Sequence, residues 1–410
     1  MNAPCWRMMV GLLVLFSSAA MAQPENGPPR WVTEGPRLAE GPAAFEVPLQ
    51  VIATKLYADV EIGGQTVRFV VDTGSPSMID SALVDALGLP VVGESQGTDA
   101  HGTVIRSRIV QADIRVGGVG FTRVPMFVAP FADNAATRAI VGDGVLGSEL
   151  LALGGWQFDL RSGVLRFDAQ AENLPHVDTS RKTPLHDFGY PHAPIFDVRF
   201  AEQARSKAML DTGSPGYFAI SPPDLEGAAK AGGIGREIQG YGSPGASLGG
   251  QAPDAEQWMG EMPTFSLAGL APARVEAIRR ERSPSLLGAR WLEHFIITLD
   301  ATGGSAWFHE YAGKPFAHAA FGFTLAFDDA VSVAMVWEGS PAARAGLAPG
   351  LVLTAINGEA PALTEDGIHA ALAAMQANEI ALAWEGGSAV LGQRTSLLDS
   401  GILDSGQARD

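Results

Sequence analysis

Cysteine is almost missing: Cys5 is the only one in 410 residues. A disulfide framework is therefore excluded, and stability must come from core burial, for which the chain is long enough. Positive charge is also scarce, with 28 Lys and Arg against 45 Asp and Glu and a formal net charge of −17. That balance argues against nucleic acid or an anionic membrane as a partner. The only basic cluster, Arg279-Arg280-Glu281-Arg282, is interrupted by an acid and reads as a solvated face. The eight histidines show no ligand-type pairing, so neither a metal nor any other cofactor is expected.

Long apolar runs are lacking too. Met8 to Phe16 is too short to prefer spanning a bilayer. It follows Arg7 and precedes the small residues of Ala20-Met21-Ala22, which together read as a signal peptide over residues 1–22. Cleavage before Gln23 would remove Cys5 and Arg7 and leave a charge of −18, with no membrane anchor. Cys5 lies before the apolar core, not after a cleavage site where a lipid-attachment cysteine would stand. A periplasmic or secreted bacterial protein is expected.

What the chain has is a repeated acidic turn. Asp72-Thr73-Gly74-Ser75 follows Val67-Arg68-Phe69-Val70-Val71, and Asp211-Thr212-Gly213-Ser214 follows Lys207-Ala208-Met209-Leu210. One such turn would be weak motif evidence, since Asp, Gly and Ser are common turn residues. The context, however, is repeated as well. Gly147 of Val145-Leu146-Gly147 lies 75 residues after Asp72, and Gly288 of Leu286-Leu287-Gly288 lies 77 after Asp211. Beyond them Asp159 and Asp300 close two further apolar runs at an offset of 141. The chain contains an internal duplication of about 140 residues, and each Asp sits where a strand turns sharply.

These four elements, in order and at matched spacing over about residues 45–311, resemble the pepsin and retropepsin-like aspartic proteases. The resemblance implies a mainly β, bilobal fold of two pseudo-twofold halves, at 45–175 and 176–311, with Asp72 and Asp211 as the catalytic pair. Two carboxylates in contact share a proton, so one can act as base and the other as acid. Gly74 and Gly213 would permit the tight turns. By resemblance, Thr73 and Thr212 would bond across to the opposite loop, and Ser75 and Ser214 would bond the outer carboxylate oxygens. Both halves lie in one chain, so a monomer acting on a peptide or protein substrate is expected. The alternative from another class is a noncatalytic peptide-binding or scaffold protein that keeps the fold; two intact Asp-Thr-Gly-Ser turns favour the enzyme.

The remaining segments are less distinctive. Residues 23–44 read as an extended leader or early strand. Gly97 to Thr103 can turn a hairpin, which the resemblance makes a flap carrying Asp99, His101 and Gly102, without the pepsin-type tyrosine. Gly240 to Gly245 occupies the equivalent interval and reads as a mobile surface loop. The G-x-G-x-x-G pattern at Gly142 to Gly147 is not kept in the duplicate, and the G-x-S-x-G at Gly245 to Gly249 lacks the strand-turn-helix of a nucleophile elbow. Residues 312–320 read as a linker. From 321 to 392, Phe321-Gly322-Phe323, the Ser340-Pro341 helix start, Asn357-Gly358 and a helix capped by Thr364 resemble a small α+β PDZ domain. That resemblance implies a groove for a peptide C-terminus, with Gly322 and Phe323 at its carboxylate loop. Residues 393–410 read as a polar, frayed tail.

Overall fold

A computed structural model describes residues 28–400 except 53, 268, 271–273, 313–315 and 318. The expected signal peptide and the last ten residues of the expected tail lie outside the described residues. Strands form where apolar and polar residues alternate between glycine turns. In Lys55–Ile62, Val60 and Ile62 are buried while Asp59 and Glu61 face out. Gly63 and Gly64, both at positive φ, turn this strand into Gln65–Val71, whose last three residues are buried.

The fold is mainly β. A nine-stranded sheet drawn from residues 37–146 carries the first half, and a ten-stranded sheet drawn from residues 195–337 carries the second. A six-stranded sheet joins them, with Gly155–Asp159 of one half beside Phe295–Asp300 of the other. Gln157 lies opposite Thr298 there, and its Nε2 donates to Thr298 Oγ1 at 2.8 Å. These two residues are 141 apart in sequence. Equivalent positions of the duplication thus face each other across the junction. One buried apolar cluster runs from Phe45 to Phe316 through both halves.

Three expectations are corrected. Gly240 to Gly245 is no mobile loop: Glu237–Gly242 is a strand paired on both sides, with Ala255–Met262 and with Val331–Trp337. Its glycines are there because neighbours press close. A Cβ on Gly240 would lie 2.8 Å from the Trp337 ring, and one on Gly242, at φ +124°, would lie 2.2 Å from Ala334 O. Residues 393–400 are not frayed: Thr395–Ser396 pairs with Ala319–Ala320, and Leu397 and Leu398 are buried among Met259, Met335 and Trp337. Nor is the early segment extended throughout, because Arg30–Thr33 is a helical turn that buries Trp31 against Phe127 and Tyr190.

The C-terminal unit has its own core around Phe323, Val333, Ile356, Ile368 and Leu382. Ser340 and Thr364 cap its two helices, accepting from Ala343 N at 3.1 Å and Gly367 N at 3.2 Å. The unit is attached twice. Its strand Val331–Trp337 extends the second-half sheet at Gly240–Gly242, and its helix Glu365–Ala374 lies on the helix Ala135–Val141 of the first half. His369 Nε2 donates to Ala139 O at 2.7 Å, and Ala139 is buried within the unit's core. Gly242→Val is expected to force the shared sheet apart, costing roughly 2–4 kcal/mol in urea unfolding and opening the 243–254 loop to limited proteolysis. Unchanged stability and protease resistance would contradict this close approach.

Candidate functional site

The two acidic turns are built alike. Gly144–Leu146 runs parallel to Phe69–Val71, so that Asp72 N donates to Leu146 O at 3.1 Å. In the second half Ser285–Gly288 runs parallel to Ala208–Asp211. Each Gly after the apolar pair lies beneath a turn where no side chain fits. A Cβ at Gly147 would meet Ser77 N at 2.1 Å, and one at Gly288 would meet Gly216 O at 2.2 Å. This explains why the glycine is duplicated together with the aspartate.

The turns interlock through their threonines. Thr73 Oγ1 donates to Leu210 O at 2.6 Å and accepts from Thr212 N at 3.1 Å; Thr212 Oγ1 donates to Val71 O at 2.7 Å and accepts from Thr73 N at 3.0 Å. Both threonines are buried, so these four bonds are shielded from water. The lock brings Asp72 and Asp211 close together, each carboxylate lying against the glycine of the opposite turn. Gly74 and Gly213 are needed for this approach. A Cβ on Gly74 would stand 2.4 Å from Asp211 Cγ, and one on Gly213 2.4 Å from Asp72 Oδ2. Gly74 N donates to Asp72 Oδ1 at 2.8 Å and Ser214 N to Asp211 Oδ1 at 3.1 Å.

Ser75 and Ser214 do not act as the resemblance implied. Ser75 Oγ is buried without a hydrogen-bond partner, and Ser214 reaches its aspartate through the backbone N–H. The serine side chains are thus replaced by main-chain donors. Burial and the Asp72 charge push Asp211 up to about 7, while Lys55 and Arg280 pull it the other way. Asp211 therefore holds its proton well above the ordinary carboxylate range.

Two hairpins meet tip to tip. The first, Val91–Thr98 with Val104–Val116, carries Asp99, His101 and Gly102 at its tip. Asp99 Oδ1 accepts from His101 N at 3.0 Å and Thr103 N at 2.7 Å, which fixes the tip's shape. The second is Glu237–Gly242 with Ala255–Met262, the counterpart of the first in the duplication. Its loop touches the first tip: Gly249 N donates to Asp99 Oδ2 at 2.9 Å, and Ala100 N donates to Ser247 Oγ at 3.2 Å. Ser247, from the G-x-S-x-G pattern, is occupied in this contact. Gly322 and Phe323 lie apart, in the C-terminal unit. Gly322 O accepts from Trp337 N at 2.8 Å and Phe323 is buried in that unit's core.

Three cations near the site are not evident as site residues from the sequence. Lys55 Nζ donates to Gly213 O. Arg282 lies against the first hairpin tip, where a Cβ on Gly102 would come within 3.1 Å of its Nη1. Arg280 is half-buried with its Nη1 shielded from solvent, and its charge acts on Asp211, so this member of the basic cluster is not a freely solvated charge. The available signal was position: Arg280 lies eight residues before Gly288, in the segment that leads to the strand beside Asp211. No group of three or more His, Cys, Asp or Glu suited to a metal occurs among the described residues.

Residues 58–150 match a family model described as aspartyl protease. Among solved structures, basic 7S globulin from soybean is similar at 12% identity and a TM-score of 0.41, covering 66% of this chain and 95% of that one. No curated protein matches the sequence.

Proposed function

We propose that this chain is an aspartic endopeptidase with Asp72 and Asp211 as its catalytic residues. One observation carries the reading: the interlocked, duplicated turns bring two carboxylates together, each pressed against the glycine of the opposite turn. The family match over 58–150 spans the first turn and its Val145-Leu146-Gly147 partner. A turn kept only for binding would have no need of both acids.

In the reaction the ionised carboxylate takes a proton from a water held between the pair as the water oxygen adds to the peptide carbonyl carbon. The protonated carboxyl gives its proton to the carbonyl oxygen. Collapse of the resulting diol returns a proton to a carboxylate, breaks the C–N bond and protonates the leaving amine. No acyl-enzyme forms. The joined hairpins would hold an extended substrate and exclude bulk water, which strengthens the charge interactions at the pair.

The 321–392 unit is proposed as a PDZ-like module that governs access to the cleft. Its strand pairing with the second hairpin favours this over free peptide capture. The sequence of residues 1–22 supports export from a bacterial cytoplasm, and the duplication within one chain supports action as a monomer.

The test is cleavage of a diverse peptide library by the purified mature chain across pH, beside Asp72→Asn. Because the reaction needs one proton on the pair, kcat/KM is expected to fall as pH rises through about 7, where Asp211 releases it. Equal cleavage by both proteins, or none by either at any pH, would sink the proposal.

A further inference from the structure

We propose that Arg280 forms a carboxylate-binding subsite beside the scissile bond, so that the favoured substrates carry a negative charge there. This inference rests on the protease reading and names its substrate class. Arg280 follows the strand Val275–Arg279, and its N–H donates to Ile220 O at 3.0 Å. That bond anchors it beside Phe218–Ile220, the strand that follows the Asp211 turn.

The half-buried guanidinium is only partly compensated. Nη1 is shielded from solvent and has no hydrogen-bond partner. No carboxylate among the described residues forms an ion pair with Arg280, although Arg279 beside it pairs with Glu281 at 3.0 Å. Its acidic neighbour is Asp211, which holds its own proton well above the ordinary carboxylate range and cannot act as a permanent counter-ion while it takes part in hydrolysis. Burial lowers the Arg280 pKa, as expected for a cation without a close partner.

A guanidinium nitrogen held away from water without a partner is costly, so such a group is normally compensated. Here a bound ligand can compensate it. A planar guanidinium matches a carboxylate through two parallel hydrogen bonds, and such charged bonds are about twice as strong as neutral ones. Arg282, against the Gly102 tip, adds a second positive charge on the side where the first hairpin closes. The carboxylate has two possible sources, an Asp or Glu side chain or the free C-terminus of a short peptide. Both present the same chemistry to Arg280.

The experiment uses peptide pairs that differ only by Glu or Gln at each position flanking the scissile bond, and pairs ending in a free acid or an amide. They are assayed with wild type, Arg280→Met and Arg280→Lys. In wild type one charged member is expected to be favoured about 10- to 100-fold in kcat/KM, and Arg280→Met should bring that ratio close to one. Arg280→Lys should retain part of it. A ratio that collapses for Glu/Gln pairs assigns the side chain as the source, and one that collapses for acid/amide pairs assigns the terminus. Arg280→Met should also raise Tm, because it removes a partly compensated charge; a structural ion pair would lower it. The same pairs are titrated against Asp72→Asn with and without Arg280→Met, which reads binding without hydrolysis. Equal binding of charged and neutral members would overturn the subsite even if peptides are cleaved, whereas preferred binding with no cleavage by wild type would instead overturn the protease reading.

Discussion

Asp211→Asn is expected to lower kcat/KM by about 1,000-fold or more while the protein stays folded. An amide keeps the shape of the carboxyl but can neither share the proton nor return it to the leaving amine, and general acid–base steps of this kind are worth about 100- to 10,000-fold. The stability effect should run the other way. Burial and Asp72 raise Asp211 to about 7 in the folded chain, from 3.8 for a free carboxyl. Between those values the folded state binds more protons than the unfolded state, so stability falls as pH rises across that window. An amide at 211 does not titrate. The variant should therefore match or exceed wild type in urea unfolding at pH 8, by on the order of a few kcal/mol, with a smaller difference near pH 4. A variant that is both active and less stable at pH 8 would place Asp211 outside the proton-sharing pair.

The second large effect is expected at the interlock. Thr73→Val removes one hydroxyl that serves two buried groups, Leu210 O and Thr212 N. Each group left without a partner costs about 1–3 kcal/mol, so a total loss of roughly 2–6 kcal/mol is expected. Thr73→Ser keeps the hydroxyl and should recover most of it. Thr73→Val combined with Thr212→Val should cost less than the sum of the two single changes, because both act on one ring of bonds. Activity should fall with the interlock, since the distance between Asp72 and Asp211 depends on it. Urea unfolding and kcat/KM measured on the four proteins decide the matter; a Thr73→Val change under about 0.5 kcal/mol would mean the ring carries no weight.

The aspartates and their glycines could be read in the sequence because duplication repeats both the residues and their spacing. A single half would have left Asp72 as an ordinary turn residue. The second hairpin could not be read in this way. Glu237-Ile238-Gln239-Gly240-Tyr241-Gly242 carries glycine where close neighbours demand it, and those neighbours, Trp337 and Ala334, come from about a hundred residues later. Arg280 escaped for a related reason. Whether a charged run is solvated depends on what packs over it, and Ile220 and the Asp211 turn are remote in sequence. Leu397-Leu398 was hidden by its polar surroundings. Local pattern therefore fixes the turns, while the contacts that cover them belong to tertiary structure.

The strand shared between Glu237–Gly242 and Val331–Trp337 sets an order of completion. As the chain is synthesised, both acidic turns and both hairpins emerge before the residues that border the second hairpin. Until Val331–Trp337 arrives, that hairpin has an open edge able to pair with another chain. Until Leu397 and Leu398 arrive, Met259 and Trp337 lack part of their cover. A nascent chain would thus hold its two aspartates well before the second hairpin is supported. The late-made residues act as a fastener, so a protein cut short before residue 331 should be recovered as aggregate and not as a small, constitutively active protease.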